Sequence, residues 1–333
     1  MRTRSFDAST SVSEIGLGCW QFGGDWRSSA ASNARDTLHA ALDAGVNFLD
    51  TADVYGQGRS ESLIGEELAE RAGGDRVFVA TKLGRLEGYP DGYSRDLFRR
   101  CTENSLKRLR RDSLDLTQLH CVPAEALRRG DVFDWLDDLK GEGLIRRWGA
   151  SVESVDEGML CLDREGCSSL QVIFNLFRQK PAAELLPRAR EQGVAIIVRL
   201  PLASGLLSGK YRRETSFEAS DHRSYNRNGA AFNVGETFAG IPFEQGVELA
   251  DALKPHHEFW AKGAAAGATM PQWAMRWILD HPAVTTVIPG ASGPDQARQN
   301  AAVSDLPPLS EEEHESLRAF HDSEVLPHIR GPY

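Results

Sequence analysis

Short β-branched or apolar runs recur along the chain at Ile15–Cys19, Val46–Leu49, Val77–Thr81, Leu114–Leu119, Ile145–Gly149, Leu170–Phe174, Val194–Leu200 and Val284–Ile288. Their starts lie 31, 31, 37, 31, 25, 24 and 90 residues apart. A strand, a loop and a helix need about 25–35 residues, so this is the rhythm of repeated β-α units. Helical patterns fill the gaps. Ala34, Thr37, Leu38, Ala41 and Leu42 form one apolar stripe, and Gly45 follows as a helix C-cap. Val132, Trp135, Leu136 and Leu139 repeat the stripe before the Gly141–Gly143 breaker. Trp273, Ala274, Trp277 and Ile278 do so again after Thr269, an N-cap residue with Pro271 in the first turn. The Trp-bearing face suits core packing better than an interface, and the oligomeric state stays open. Ser310, followed by three glutamates, has the form of a capping box.

Runs that are apolar on both faces suit a parallel sheet covered by helices. Eight such repeats close into a (β/α)8 TIM barrel, whose active site lies at the C-terminal ends of the strands. A doubly wound sheet is the alternative. It would need a Gly-rich turn opening a helix, and Gly16, Gly18, Gly23 and Gly24 do not spell GxGxxG. The expectation is a single barrel domain over residues 1–333, with a short hairpin before Ile15. The 90-residue interval holds a Gly-, Arg- and Asn-rich stretch, Ser204–Gly240, of the kind that forms a long functional loop after the seventh strand.

Composition removes several function classes. The net charge of −10 disfavours nucleic acid and anionic membrane surfaces as partners. No apolar run approaches about 18 residues, the length of a membrane span. The N-terminal MRTRSFDAST lacks the apolar core of a secretory signal. Cys19, Cys101, Cys121, Cys161 and Cys167 form neither a CxxC nor a spacing with His that would hold a metal, which fits a reducing cytoplasm and no metal site. His256 and His257 are adjacent and do not share a helix face.

Polar residues follow the strands at one end: Asp50 and Tyr55 after the second, Lys82 after the third, His120 after the fourth, Ser151 after the fifth, and Asn175 after the sixth, with Gln171 inside that run. Each has an ordinary reading alone: an N-cap Asp, a turn Tyr, a solvated Lys, a core His. Together they suit proton transfer. A tyrosine, normally with a pKa near 10, is poorly placed for acid-base work at neutral pH unless a neighbouring ammonium lowers it. Lys82 would supply that charge, Asp50 would hold Lys82, and His120 would orient a carbonyl. Spacing alone leads to a barrel enzyme carrying a Tyr/Lys/His/Asp cluster.

These residues also carry a family resemblance. NFLDTADVYGQGRSESLIGEEL (Asn47–Leu68), VFVATKLG (Val77–Gly84), DLTQLH (Asp115–His120), PLASGLLSGKY (Pro201–Tyr211) and VIPGASGPDQARQN (Val287–Asn300) resemble, in order, the motifs of the aldo-keto reductases. The chain looks most like the bacterial stress-protein and potassium-channel-β branch. The resemblance implies a catalytic tetrad of Tyr55, Lys82, Asp50 and His120, with Tyr55 as general acid, and NADPH extended across the barrel mouth. It implies that Trp20 lines the pocket beside the nicotinamide and Asp50, and that Ser151 and Gln171 hold the carboxamide. Pro201, Leu202, Ser204, Gly205, Leu206, Ser208 and Lys210 would wrap the pyrophosphate. Gly290, Ser292, Gln296, Gln299 and Asn300 would face the adenosine end, with Arg223 reaching the adenine or 2′-phosphate from the long loop.

Three departures bear on this. Ser151 is followed by Val152, where the family usually has Asn. Arg199 stands where an aromatic commonly stacks on the nicotinamide, and its cation would disfavour the oxidised cofactor or reach an anionic substrate. Ser292 replaces a common Lys or Arg at the 2′-phosphate, with Arg298 and Arg223 as substitutes, so NADPH is favoured while NADH or dual use stays open. Trp20, Phe22 and Tyr89 suggest an aromatic mouth for a small aldehyde, ketone or sugar, with Glu87 and Asp91 as solvated turn residues. Two rival readings remain: a sensor subunit that binds NADPH without turnover, and a Schiff-base lyase using Lys82.

Overall fold

The apolar runs become strands, shifted by a residue or two from their expected bounds. The computed structural model describes residues 1–24, 28–263, 265–331 and 333. An antiparallel hairpin, β1 (Thr3–Ser5) and β2 (Ser11–Ser13), comes first. Eight strands then form one parallel sheet: β3 (Leu17–Gly18), β4 (Phe48–Asp50), β5 (Phe78–Leu83), β6 (Leu116–His120), β7 (Trp148–Ser151), β8 (Cys167–Ile173), β9 (Ala195–Arg199) and β10 (Val284–Val287). Each pairs with the next in chain order. Parallel bridges Ile15↔Val287 and Gly18↔Gly290 join first to last and close the sheet into a (β/α)8 barrel.

Helices cover the outside, and local chemistry sets their ends. The helix Ser28–Asp43 stops before Gly45, whose φ of +89° is the left-handed cap conformation. Thr269 and Gln272 form a reciprocal capping box ahead of Met270–Leu279, and Ser310 and Glu313 do the same ahead of Glu311–Phe320. Trp273 and Trp277 are both buried; the Trp277 ring lies 5.0 Å from Phe174, so this face is core. Among the described residues no helix is long and apolar enough to cross a membrane.

The period of two along each strand divides the barrel interior into a dry base and a polar crown. Phe6 and Val12 of the hairpin region pack with Phe48, Phe78, Ala80, Leu116, Ala195, Ile197 and Ile288 as one buried cluster. Two residues farther along the same faces stand Asp50, Lys82, Gln118 and Arg199, and His120 follows Gln118 by two more. Tyr55 and Asn175 follow their strands as expected, but most of the other polar residues lie within the strands and not beyond them. Asp50, His120, Ser151 and Arg199 are the last residues of β4, β6, β7 and β9, and Lys82 lies inside β5. Ladder hydrogen bonds therefore hold their backbones.

The stretch after β9 is more ordered than its composition suggests. It contains 3₁₀ turns at Ala203–Ser208, Val234–Glu236 and Phe238–Gly240 and a helical turn at His222–Tyr225. Asn226, fully buried, organises it: its Oδ1 accepts from the backbone N–H of Ala231 (2.9 Å) and Phe232 (3.0 Å), and its Nδ2 donates to Thr237 Oγ1 (3.0 Å).

Leu136, fully buried on the helix Asp131–Gly141, reports on the packing of helix against sheet. Leu136→Ala should lower the unfolding free energy by about 2–5 kcal/mol, read from urea denaturation. A change near zero would mean that this face is not tightly packed.

Candidate active site

Lys82 lies at the centre of the crown with no side-chain exposure. Its Nζ donates to Asp50 Oδ1 (2.6 Å), to the Thr51 carbonyl oxygen (2.8 Å) and to the Tyr55 hydroxyl oxygen (3.2 Å). Three N–H donors meet three acceptors, which is how a buried ammonium is satisfied. The other carboxylate oxygen of Asp50 accepts from Gln171 Nε2 (2.7 Å) and Gln118 Nε2 (3.4 Å). The imidazole of His120 stands edge-on to Tyr55, centroids 5.7 Å apart. The four residues named from the sequence thus converge, and Gln118, unnoticed there, joins them.

The electrostatics differ from the expectation on one point. Burial raises the proton affinity of Tyr55, and Lys82 only partly counters it, so its pKa lies above the ordinary tyrosine value instead of below. Burial alone would lower Lys82, but Asp50 and Tyr55 lift it above its usual range. Burial, reinforced by Lys82, Arg85 and Arg199, holds His120 well below the ordinary histidine range. The site therefore presents a phenol that keeps its proton, a charged ammonium behind it and a neutral imidazole beside it. The Nδ1 of His120 is buried without a hydrogen-bond partner.

Backbone contact positions Tyr55. A Cβ on Gly23 would overlap the carbonyl carbon of Tyr55, and one on Gly56 would overlap the carbonyl oxygen of Gly23. The Gly23 carbonyl also accepts from Arg59 Nη2 (2.8 Å). The two glycines let the loop after β3 lie directly on the turn that carries the phenol. Trp20, on the same loop, is 46% exposed and meets His222 of the long loop edge-on at 4.7 Å. Tyr89 is also exposed, whereas Phe22 is buried in the core and does not line the mouth.

The residues expected to hold the nucleotide fall into two regions. Ser151 Oγ donates to Gln171 Oε1 (3.5 Å), so these two adjoin Asp50 at the crown. Farther out, the turn from Pro201 and Leu202 through Ser204, Gly205, Leu206 and Ser208 to the exposed Lys210 contains left-handed residues at Ala203, Ser204 and Gly205. Such a run can form a nest of backbone N–H groups. The guanidinium of Arg223 pairs with Asp221 and donates to Tyr211 (2.6 Å), whose hydroxyl donates to the Ser204 carbonyl (3.3 Å). At the end of β10, Ser292 donates to Gln296 Oε1 from backbone (2.7 Å) and side chain (2.8 Å), and Asn300 Nδ2 donates to Gly290 O (3.2 Å). Gln299 and Arg298 are exposed, the latter paired with Asp295.

Arg199 does not stand free. Its Nη2 donates to the Val152 carbonyl (3.2 Å) and its Nη1 pairs with Glu236 (3.3 Å). Arg85, two residues beyond β5, donates to the same carboxylate (2.9 Å) and lies 3.8 Å from Glu153. Burial raises Glu153, and its hydrogen bond with Glu236 adds to this; Arg199 and Arg85 hold Glu236 low despite its burial. The ligand atoms of Cys121, Glu153 and Glu236 lie within 4.8 Å of one another, but two guanidiniums already occupy that space. Arg85, Glu153 and Glu236 had no signature in the sequence, because their pairing spans up to 151 positions.

A constellation of titratable groups at the C-terminal mouth of a (β/α)8 barrel stands where enzymes of this fold carry their active sites, and it marks the class as a barrel enzyme. The model of the aldo/keto reductase family matches residues 14–322, and the chain belongs to that family of oxidoreductases. It is 30% identical over 331 residues to the oxidoreductase YqkF of Bacillus subtilis, covering 98% of both chains. The glycerol dehydrogenase structure from Gluconobacter oxydans superposes with a TM-score of 0.76 at 29% identity, over 99% of this chain and 97% of that one. An aldo-keto reductase from Klebsiella pneumoniae in complex with NADPH gives 0.70 at 26% identity, over 96% of each.

Gly23→Ala should displace the Tyr55 turn. Faster amide exchange over residues 51–60, with unfolding otherwise close to wild type, would register this; unchanged exchange would mean that the close approach is dispensable. The Glu153–Glu236 pair predicts a pH effect. A raised carboxyl contributes stability that is complete below the ordinary glutamate range and is lost as pH rises through its folded value. Between about pH 5 and about pH 8 the wild type should lose stability relative to Glu153→Gln. Parallel curves would show that Glu153 is not perturbed.

Proposed function

We propose that this chain is an NADP(H)-dependent reductase of small aldehydes or ketones, acting as one catalytic domain, with Tyr55 as the proton donor. The observation that carries the reading is the position of Lys82 Nζ, 3.2 Å from the Tyr55 oxygen and 2.6 Å from Asp50. A hydroxyl that accepts a hydrogen bond from an ammonium is polarised for proton loss, and its raised proton affinity keeps it loaded at neutral pH.

Each residue's chemistry follows from its setting. The neutral His120 orients the substrate carbonyl with a ring N–H and does not compete for the proton. Tyr55 gives its proton to the carbonyl oxygen as the carbon is reduced. Lys82 stabilises the resulting tyrosinate, and Asp50, held by Gln171 and Gln118, keeps the ammonium in line. A bound nicotinamide would supply the hydride. The left-handed turn at Ala203–Gly205, the exposed Lys210 ammonium and the Ser151–Gln171 pair suit a pyrophosphate and a carboxamide respectively. The NADPH complex of the Klebsiella pneumoniae relative supports that cofactor. In the same setting the raised affinity of Lys82 for its proton disfavours Schiff-base chemistry, which needs a neutral amine.

Tyr55→Phe should lower kcat/KM for an aldehyde by about 100- to 10,000-fold, while the NADPH dissociation constant from fluorescence titration stays close to wild type. A comparable loss of NADPH affinity would assign Tyr55 to cofactor binding instead of proton transfer.

A further inference from the structure

We propose that Arg85 and Arg199 form a carboxylate subsite beside the reacting carbonyl, so that the enzyme prefers carbonyl substrates that also carry an acid group. The inference deepens the reductase reading and rests on it.

Position comes first. Arg85 lies three residues beyond Lys82, and Arg199 ends β9 on the same inward face as Ile197. Each directs a guanidinium nitrogen at Cys121 Sγ, at 3.6 Å in both cases, and Cys121 directly follows His120. Both charges act on His120, and that of Arg199 also reaches Tyr55. A group one to a few bonds from a carbonyl held by Tyr55 and His120 would meet this pair.

The pair already shows that it accepts a carboxylate. Glu236 Oε1 lies 2.9 Å from Arg85 Nη2, and Oε2 lies 3.4 Å from Arg85 Nη1 and 3.3 Å from Arg199 Nη1. A planar fork suits the two oxygens of an acid group. Glu236 belongs to the loop after β9 and not to a barrel strand, which makes it the internal competitor for this position. Arg199 is 9% exposed, and its Nε is buried with no hydrogen-bond partner, a donor still unused.

Charge balance points the same way. Burial and the neighbouring Glu236 raise Glu153 to about 7, whereas Arg199 and Arg85 hold Glu236 low. Glu236 is then the one firmly ionised counter-charge that Arg85 and Arg199 share. Tyr89 and Cys121, the other titratable groups facing Glu153, keep their protons because burial raises both. Both guanidiniums are concentrated here on a chain whose net charge is −10. Two buried guanidiniums that share one firmly ionised carboxylate favour a substrate that brings a second anion.

The test compares matched pairs with NADPH: glyoxylate against acetaldehyde, and 4-oxobutanoate against butanal, in wild type, Arg85→Gln and Glu236→Gln. The wild type should favour the acid of at least one pair by about 10-fold or more in kcat/KM. Arg85→Gln should bring that ratio close to one, and Glu236→Gln, which removes the internal competitor, should raise it. Succinate titrated into the NADPH complex should bind to wild type and bind about 10-fold more weakly to Arg85→Gln. Parity between acids and aldehydes in wild type, or a ratio and succinate affinity that survive Arg85→Gln, overturns the subsite while leaving the reductase reading intact. Tight NADPH binding with no reduction of any of the four carbonyls overturns the reductase reading, and the succinate titration still decides the subsite. Succinate competing with NADPH itself would assign the pair to the cofactor and overturn the proposal.

Discussion

The ion pair between Lys82 and Asp50 is the constraint on which the mouth of the barrel depends. An ammonium without solvent access is tolerable only with a counter-charge and a full set of acceptors, and Lys82 has both. Asp50 in turn needs donors for its second oxygen, which Gln171 and Gln118 supply from two other strands. Six groups from four strands and the loop after β4 are thereby locked to one point. The phenol of Tyr55 is held at the edge of this network, within hydrogen-bond reach of the ammonium.

Barrel geometry makes that arrangement affordable by keeping stability and chemistry on different levels of one surface. The inward positions of β4, β5, β6 and β9 are apolar near the hairpin and polar two residues later, because side chains on one face recur at every second residue. The hairpin seals the base with Phe6, which packs tilted on Phe78 at 4.8 Å. The loops beyond the crown are then free to differ. One is pressed onto Tyr55 through Gly23, and another reaches over the mouth to place Glu236 between two arginines.

Those arginines change the character of the site. His120 is neutral through its burial and through the cations around it. Glu236, held low by Arg199 and Arg85, is their counter-charge, while burial raises Glu153.

Most of the frame was legible along the chain. The eight apolar runs and their 24- to 37-residue rhythm mark β-α units, and the caps at Thr269 and Ser310 are set by residues three positions apart. Such signals depend on near neighbours, so the amino-acid order alone carries them. The identities of Asp50, Tyr55, Lys82 and His120 were legible for the same reason, each sitting at the end of an apolar run. Their phase was not: which residues lie inside the strands, and which face the axis, was settled by the register of the closed sheet. The burial of Phe22 and the pairing of Arg85, Arg199, Glu153 and Glu236 across distant loops were likewise decided by tertiary structure. So was the direction of the Tyr55 shift, upward where the neighbouring lysine alone implied downward. The proton affinity of a buried group is set by everything that surrounds it in space, and only the folded chain brings those surroundings together.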